Sequence, residues 1–93
     1  MKTIHKYDIT ALREQVIELP RYSIIFSVQP QIYGETIKLQ LWAMIDTEEP
    51  LEERQIRVFG TGHEISEHEF DCLLPLGTCQ LLGGRMVLHV FEL

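Results

Sequence analysis

The chain has 93 residues, 45% of them hydrophobic and 24% charged, which suffices for one small core, so we expect a single domain and no second catalytic one. Its formal net charge is −6, and Lys and Arg do not cluster as phosphate neutralisation requires, so we expect no direct binding to nucleic acid or to a membrane surface. No apolar run approaches the roughly 20 residues that span a bilayer, and residues 1–6 lack the apolar middle of a signal peptide, so we expect a cytoplasmic protein.

The amino-terminal part predicts one clear strand and one ambiguous segment. Residues Ile4 to Ile9 have the composition of a strand. The segment Ala11 to Leu19 has helical spacing of its large apolar residues, so a short helix is one interpretation. We favour a weaker strand at Val16 to Leu19, because Pro20-Arg21 is typical of a turn into the next strand.

Alternating apolar residues in the middle of the chain predict an antiparallel hairpin. The apolar row of its first strand is Tyr22, Ile24, Phe26 and Val28. The row of its second strand is Ile37, Leu39, Leu41, Ala43 and Ile45. We expect both rows to be buried and the segment Pro30 to Glu35 to supply the turn.

Large side chains also occupy the other face of this second strand. Trp42 and Met44 lie there, and Tyr33 precedes them in the turn segment. In one interpretation Trp42 covers the open end of the sheet beneath the helix that carries Phe70. In the other, these three residues mark a binding surface, because strands that are apolar on both sides exceed what one small core can bury.

Acidic residues are concentrated between Asp46 and Asp71, where nine carboxylates accompany two arginines. We expect the stretch Thr47 to Glu53 to be a polar loop, since Pro and clustered carboxylates suit neither a helix interior nor a strand. The acidic surface that it predicts comprises Glu48, Glu49, Glu52 and Glu53. This surface is either a solvated rim or a site that attracts a basic partner.

A glycine-containing loop, Gly60-Thr61-Gly62-His63, follows a predicted strand at Gln55 to Phe59. A strand, a glycine-rich loop and a helix start can together hold an anion, which makes Thr61 and His63 candidate binding residues. The full phosphate-loop and dinucleotide patterns are absent, and the following helix start is acidic. The alternative is a tight structural turn in which His63 is a local hydrogen-bond partner.

The carboxy-terminal third predicts a short helix and a second hairpin. Ser66 and Glu69 form a capping box for a helix at about residues 67–74, which must be held by packing of Phe70 on a sheet. Gly83-Gly84 supplies a hairpin turn between strands at Gly77 to Leu82 and Arg85 to Leu93. In the second of these strands we expect His89 to be a neutral imidazole bonded to a cross-strand group.

The few residues suited to metal or redox chemistry do not form a recognisable motif. Cys72 and Cys79 are expected to be free thiols that behave as small buried hydrophobes. Their spacing to each other and to His63 and His68 does not match that of zinc ligands. We therefore predict no metal, no cofactor and no catalytic residue, and we do not expect an enzyme.

Six or seven short strands and one short helix predict a single small β-rich domain over residues 1–93. Regularly spaced Pro and Gly turns favour an antiparallel β-sandwich or a partly open barrel.

Several blocks of the chain together resemble a known protein family. They are Ile4 to Tyr7, Leu19-Pro20, Ser27 to Gln29, Leu41 to Ala43, Val58 to His63, Leu76 to Gln80, Gly83-Gly84 and Leu88 to Glu92. The set resembles a family of short uncharacterised proteins encoded by bacteriophages and prophages. That family has no assigned reaction or cofactor, so the resemblance implies a context only, that of host-takeover factors, inhibitors of host defence or accessory assembly proteins in a host cytoplasm.

The leading functional hypothesis is a non-enzymatic binding module, oligomeric in solution, that acts through a protein–protein surface on itself or on another protein. One alternative is an acidic decoy that blocks a host nucleic-acid-binding protein. The other is sequestration of a nucleotide signal at the loop from Gly60 to His63.

Overall fold

The computed structural model describes the backbone of residues 1–93 and every side chain except that of Ile37. Its strands are β1 Lys2–Ile9, β2 Glu14–Pro20, β3 Ile24–Tyr33, β4 Thr36–Asp46, β5 Leu51–Gly60, β6 Leu74–Leu81 and β7 Met86–Glu92. A short helix, α1 Glu67–Phe70, precedes β6, and a 3₁₀ turn at Leu82–Gly84 joins β6 to β7.

The strands form two antiparallel sheets. The first has the order β1-β4-β3 and the second the order β2-β5-β7-β6. The two sheets pack as a sandwich and do not close into a barrel. The predicted mainly β fold of six or seven strands with one short helix is thus confirmed, with seven strands observed.

The core lies between the sheets and contains alternate residues of the central strands together with single residues of the edge strands. Leu39, Leu41, Ala43 and Ile45 of β4 are buried, as their spacing predicts. The side chain of Ile37, which begins that predicted row, lies outside the described residues. From the second sheet, Ile56 of β5, Cys79 of β6 and Val90 of β7 complete the core.

The predicted burial of the β3 row is wrong, because a β-bulge shifts the strand by one residue. Ile25 lies opposite Ala43 and Ser27 lies opposite Trp42, so Phe26 is an extra residue. A shift of one residue exchanges the two faces of a strand. Val28 therefore stays buried, whereas Ile24 and Phe26 are exposed.

The β3–β4 turn is shorter than the predicted segment Pro30 to Glu35. Pro30 lies inside β3, an edge strand, where its missing N–H does not break a ladder. Tyr33 and Thr36 form the last cross-strand pair, so the turn consists of Gly34 and Glu35. Gly34 has a φ of +59°, as such turns require.

Two other boundaries also differ from the prediction. The segment from residue 11 to 19 is not a helix, since β2 pairs with β5 from Glu14 to Pro20. The predicted loop Thr47 to Glu53 ends early, because Glu52 and Glu53 belong to β5 and pair with β2. Cross-strand pairing satisfies the backbone groups of these carboxylate-rich residues, and this outweighs their weak strand propensity.

One side of the sandwich is closed by a near contact between β6 and β3. Leu76 forms a second bulge, between Pro75 and Gly77. A Cβ atom at Gly77 would lie 2.6 Å from Cγ1 of Val28. The glycine at this position therefore lets the two sheets meet at van der Waals distance.

Helix α1 is shorter than the predicted residues 67–74, since β6 already begins at Leu74. The N-cap bond of the predicted capping box is confirmed, because the Glu69 amide donates to Ser66 Oγ at 3.2 Å, whereas the Glu69 carboxylate accepts from Ser66 Oγ and not from the Ser66 amide. The prediction that Phe70 packs on a sheet is wrong, because this residue is 67% exposed. The helix is held instead by an ion pair between Arg57 Nε and Glu69 Oε2 at 3.0 Å. Neither α1 nor the 3₁₀ turn has the length and apolar character that crossing a bilayer requires.

The ion pair makes the anchoring of α1 sensitive to acid. The hydrogen bond from Arg57, followed by that from Ser66, lowers the pKa of Glu69 below its ordinary value. A lowered folded-state pKa stabilises the fold above the unfolded-state value, near 4.3, and this contribution is lost as the pH falls through the folded-state pKa. We expect the free energy of unfolding, measured with urea between pH 6 and pH 3, to fall less steeply in Glu69→Gln than in the wild type. Glu67→Gln, on the same helix, should retain the wild-type slope, and equal slopes in all three proteins would contradict the assignment.

Candidate functional site

The side of the three-stranded sheet that points away from the core is called here the outer face. Its apolar part comprises Ile4, Ile24, Phe26, Trp42 and Met44. Met44 lies between Ile4 of β1 and Ile24 of β3 in one cross-strand row, and Trp42 belongs to the next row. Ile4, Ile24, Phe26 and Met44 are each between 47% and 55% exposed, so no described element covers them.

Trp42 is not covered by the helix. It lies on β4 of the first sheet, whereas α1 is anchored to Arg57 of the second sheet. The interpretation in which Trp42 packs beneath the helix that carries Phe70 is therefore wrong. Trp42 is instead flanked by Lys6, whose Nζ atom lies 5.8 Å from its ring centroid.

The structure places the three candidates Tyr33, Trp42 and Met44 on the outer face. Lys6 Nζ lies 3.5 Å from Tyr33 Oη, so it bridges Tyr33 and Trp42. Met44 follows Trp42 on the same side of β4. Lys38 Nζ lies 5.8 Å from the Tyr33 ring. The candidates therefore form one surface in which lysines separate aromatic rings.

A groove of about 550 Å³ lies at one end of the outer face. Its lining includes Ile4, Ile24 and Met44 of the apolar part, together with Arg21 and Tyr22 of the turn before β3. The Tyr22 side chain is 74% exposed and its φ is +67°. Glycine normally occupies this region of conformation, because a side chain there costs roughly 1–2 kcal/mol. An exposed aromatic residue in such a conformation favours a role in contacts with other molecules.

Replacing Tyr22 tests whether this residue stabilises the fold or serves contacts with other molecules. We expect Tyr22→Gly to unfold at the same urea concentration as the wild type or a higher one, since relief of strain offsets the greater entropy of the unfolded chain. Tyr33→Gly, at an exposed tyrosine in a strand, should lose about 1 kcal/mol. A loss of more than about 1 kcal/mol in Tyr22→Gly would show that Tyr22 serves the fold.

The four acidic candidates do not form one surface. Glu48 lies in the β4–β5 turn, and Glu49 lines the groove beside Arg21. Glu52 lies 3.8 Å from the Arg54 guanidinium. Glu53 alternates to the opposite side of β5, where Glu18 is its cross-strand neighbour.

The glycine-containing loop forms a tight turn. The Gly60 amide donates to His63 Nδ1 and the His63 amide donates to the Gly60 carbonyl oxygen, both at 3.1 Å. Two backbone donors that an anion would need are thus already used within the loop. Thr61 is oriented elsewhere, since its Oγ1 atom lies 2.7 Å from Nε2 of His89.

His89 has a hydrogen-bond partner at each ring nitrogen. Its cross-strand neighbour Thr78 places Oγ1 3.0 Å from Nδ1, and Thr61 occupies Nε2. The predicted cross-strand hydrogen bond is confirmed. Among the described residues no group of three or more His, Cys, Asp and Glu side chains has an arrangement that would hold a metal ion.

The two cysteines are free and differ in environment. Cys79 is buried in the core, and burial raises the pKa of its thiol. The predicted burial of Cys72 is wrong: because α1 ends at Phe70, this residue lies in the following turn and is exposed.

Comparisons with known proteins identify the family but no characterised relative. Neither the curated proteins nor the solved structures contain a significant match to the chain. One family model matches it from residue 1 to residue 93. By this match the chain belongs to the family described as Domain of unknown function (DUF7352).

Proposed function

We propose that this chain is a non-enzymatic protein-binding module that acts through the outer face. The observation that carries the proposal is the half-exposed apolar surface of Ile4, Ile24, Phe26 and Met44 around Trp42. Contiguous apolar surface rimmed by polar groups is typical of interaction sites on small soluble proteins.

The composition of the outer face also supports binding to protein. Trp, Tyr and Met are enriched where proteins bury surface against each other, and Trp and Tyr contribute most to affinity. Trp42 lies centrally in β4, Tyr33 pairs with the first residue of this strand, and Tyr22 lines the groove at its other end. Lys6 lies between Tyr33 and Trp42, and the Arg21 guanidinium lies 5.4 Å from the Tyr22 ring centroid, so both cations are placed near aromatic faces.

The biological setting that we propose is a phage or prophage, as the sequence resemblance implies. A small protein without a catalytic site interferes with a host cell by occupying the surface of another protein. A host-takeover or anti-defence factor is therefore the role that we favour.

Site-specific photo-crosslinking tests the use of the outer face. Replacing Met44 by p-benzoylphenylalanine places the crosslinker in the apolar part, and replacing Gln80, an exposed residue of β6, gives the matched control. After irradiation in host lysate we expect discrete protein adducts from position 44 and none from position 80. Equal adduct patterns from both positions, or no adducts at position 44, would count against the proposal.

A further inference from the structure

The outer face carries opposite charges at the two ends of β1. Its outward row comprises Lys2, Ile4, Lys6 and Asp8. Among the described side chains Lys2 has no carboxylate partner within 4 Å. Asp8 is 58% exposed in its side chain although Lys38 lies 3.7 Å away. The hydrogen bond from Gln40 lowers the pKa of Asp8, which therefore carries its negative charge at neutral pH.

A twofold axis across the strands makes this pattern complementary to itself. Rotation about an axis that lies in the face and crosses the strands reverses the strand direction, so the end of β1 with Lys2 meets the end with Asp8 in the second copy. The midpoint of Lys2 and Asp8 is the row of His5 and Ala43. An axis over that row also places Trp42 of each copy on Met44 of the other, since these two residues flank Ala43 on β4.

The overall charge also selects this face for contact between copies. Each chain has a net charge of −6, so two copies repel at most orientations. The outer face carries Lys2, Lys6 and Lys38 against Asp8 and Asp46, so it lacks the negative excess of the whole chain. Repulsion between copies is therefore weak there.

We propose that the outer face binds a second copy of this chain, forming a twofold dimer in which Lys2 of each copy pairs with Asp8 of the other. The proposal rests on the proposed function and names the partner. Eight residues of β1 and three strands give a face of about 26 Å by 14 Å. The projected area of about 360 Å² per copy lies below that of standard specific interfaces and in the range of weak, transient ones, so we expect a dissociation constant on the order of 100 micromolar.

A charge exchange between two variants tests the pairing. Lys2→Glu alone brings Glu against Asp8 of the second copy, and Asp8→Lys alone brings Lys against Lys2, so each variant should dimerise at least tenfold more weakly than the wild type in sedimentation velocity. An equimolar mixture should recover dimers, because the heterodimer has two pairs of opposite charge. Arg85→Glu, at an exposed residue of the β6–β7 connection, is the matched control and should leave dimerisation unchanged.

The only tryptophan of the chain gives a second measurement. Trp42 should change its emission maximum to shorter wavelength as the wild-type concentration rises through the dissociation constant. Met44→Glu places a carboxylate against Trp42 of the other copy and should abolish this shift. The measurement does not require that Asp8→Lys folds.

Each outcome bears on the proposal. A wild-type protein that stays monomeric up to several hundred micromolar would overturn it. If position 44 then crosslinks to another protein, the proposed function stands with a different partner, and if it crosslinks to nothing, both fall. A dimer that is insensitive to Lys2→Glu and Met44→Glu, or a mixture with no more dimer than its components, would also overturn the proposed pairing.

Discussion

Replacing Arg54 by methionine should lower the free energy of unfolding by about 3 kcal/mol, because it leaves the Glu92 carboxylate largely buried without a counterion. Arg54 Nη2 donates to Glu92 Oε1 at 2.9 Å, and Nε donates to Oε2 of the same carboxylate. A third donor, Nη1, bonds the Ser23 carbonyl oxygen at 3.0 Å. The two side chains are only 17% and 14% exposed. The hydrogen bonds to Glu92 raise the pKa of Arg54, so the cation persists at every accessible pH.

The pair also ties three parts of the fold together. Arg54 lies in β5, Glu92 in β7 and Ser23 in the turn before β3, so one side chain links both sheets. Replacing both charged residues, in Arg54→Met with Glu92→Leu, should recover much of the loss, since apolar groups of similar volume need no counterion. Urea denaturation measures both variants. Arg85→Met, the same change at an exposed arginine, should stay within about 0.5 kcal/mol of the wild type. A cost below about 1 kcal/mol for Arg54→Met would contradict the description of this pair as buried.

The sequence predicts the positions of the strands more accurately than it predicts which face of each strand is buried. Alternation places Leu39, Leu41 and Ala43 in the core because β4 is central and regular. The same rule fails on β3, where Phe26 is inserted as a bulge opposite Trp42. The inserted residue depends on how β3 pairs with β4, and no local pattern of β3 encodes that pairing.

The helix shows a similar division between local and distant information. The N-cap hydrogen bond between Ser66 and the Glu69 amide is local, and the sequence predicts it correctly. Its anchor is the contact between Glu69 and Arg57 on β5, twelve positions away along the chain. Periodicity instead favours Phe70 as the anchor, whereas in the structure this residue is the last of a four-residue helix and is exposed.

The candidate site is only partly readable from the sequence. Trp42 and Met44 are identified because they alternate with buried residues of β4. Ile4, Ile24 and Phe26 are missed, although Lys2, Ile4, Lys6 and Asp8 share one side of β1 and so group Ile4 with charged residues. That signal is available in the sequence, whereas the exposure of Ile24 and Phe26 follows from the bulge.

Gly77→Ala should destabilise the fold by about 2 kcal/mol, because the new methyl group overlaps the closest contact between the sheets. Its Cβ would lie 2.6 Å from Cγ1 of Val28, and that side chain is buried and β-branched, so it has little freedom to rotate away. Val28→Ala alone should also destabilise, by about 2 kcal/mol, through the cavity that it leaves.

A double-mutant cycle distinguishes overlap from a general weakness of β6. Combining Gly77→Ala with Val28→Ala should cost at least about 1 kcal/mol less than the sum of the single changes, because the added methyl fills the space that the valine vacates. Val58→Ala, an equally buried valine of β5, is the matched control, and its combination with Gly77→Ala should be additive. Additivity of the Val28 pair in urea denaturation would mean that β6 and β3 do not meet at Gly77, and the sandwich would then be open on that side.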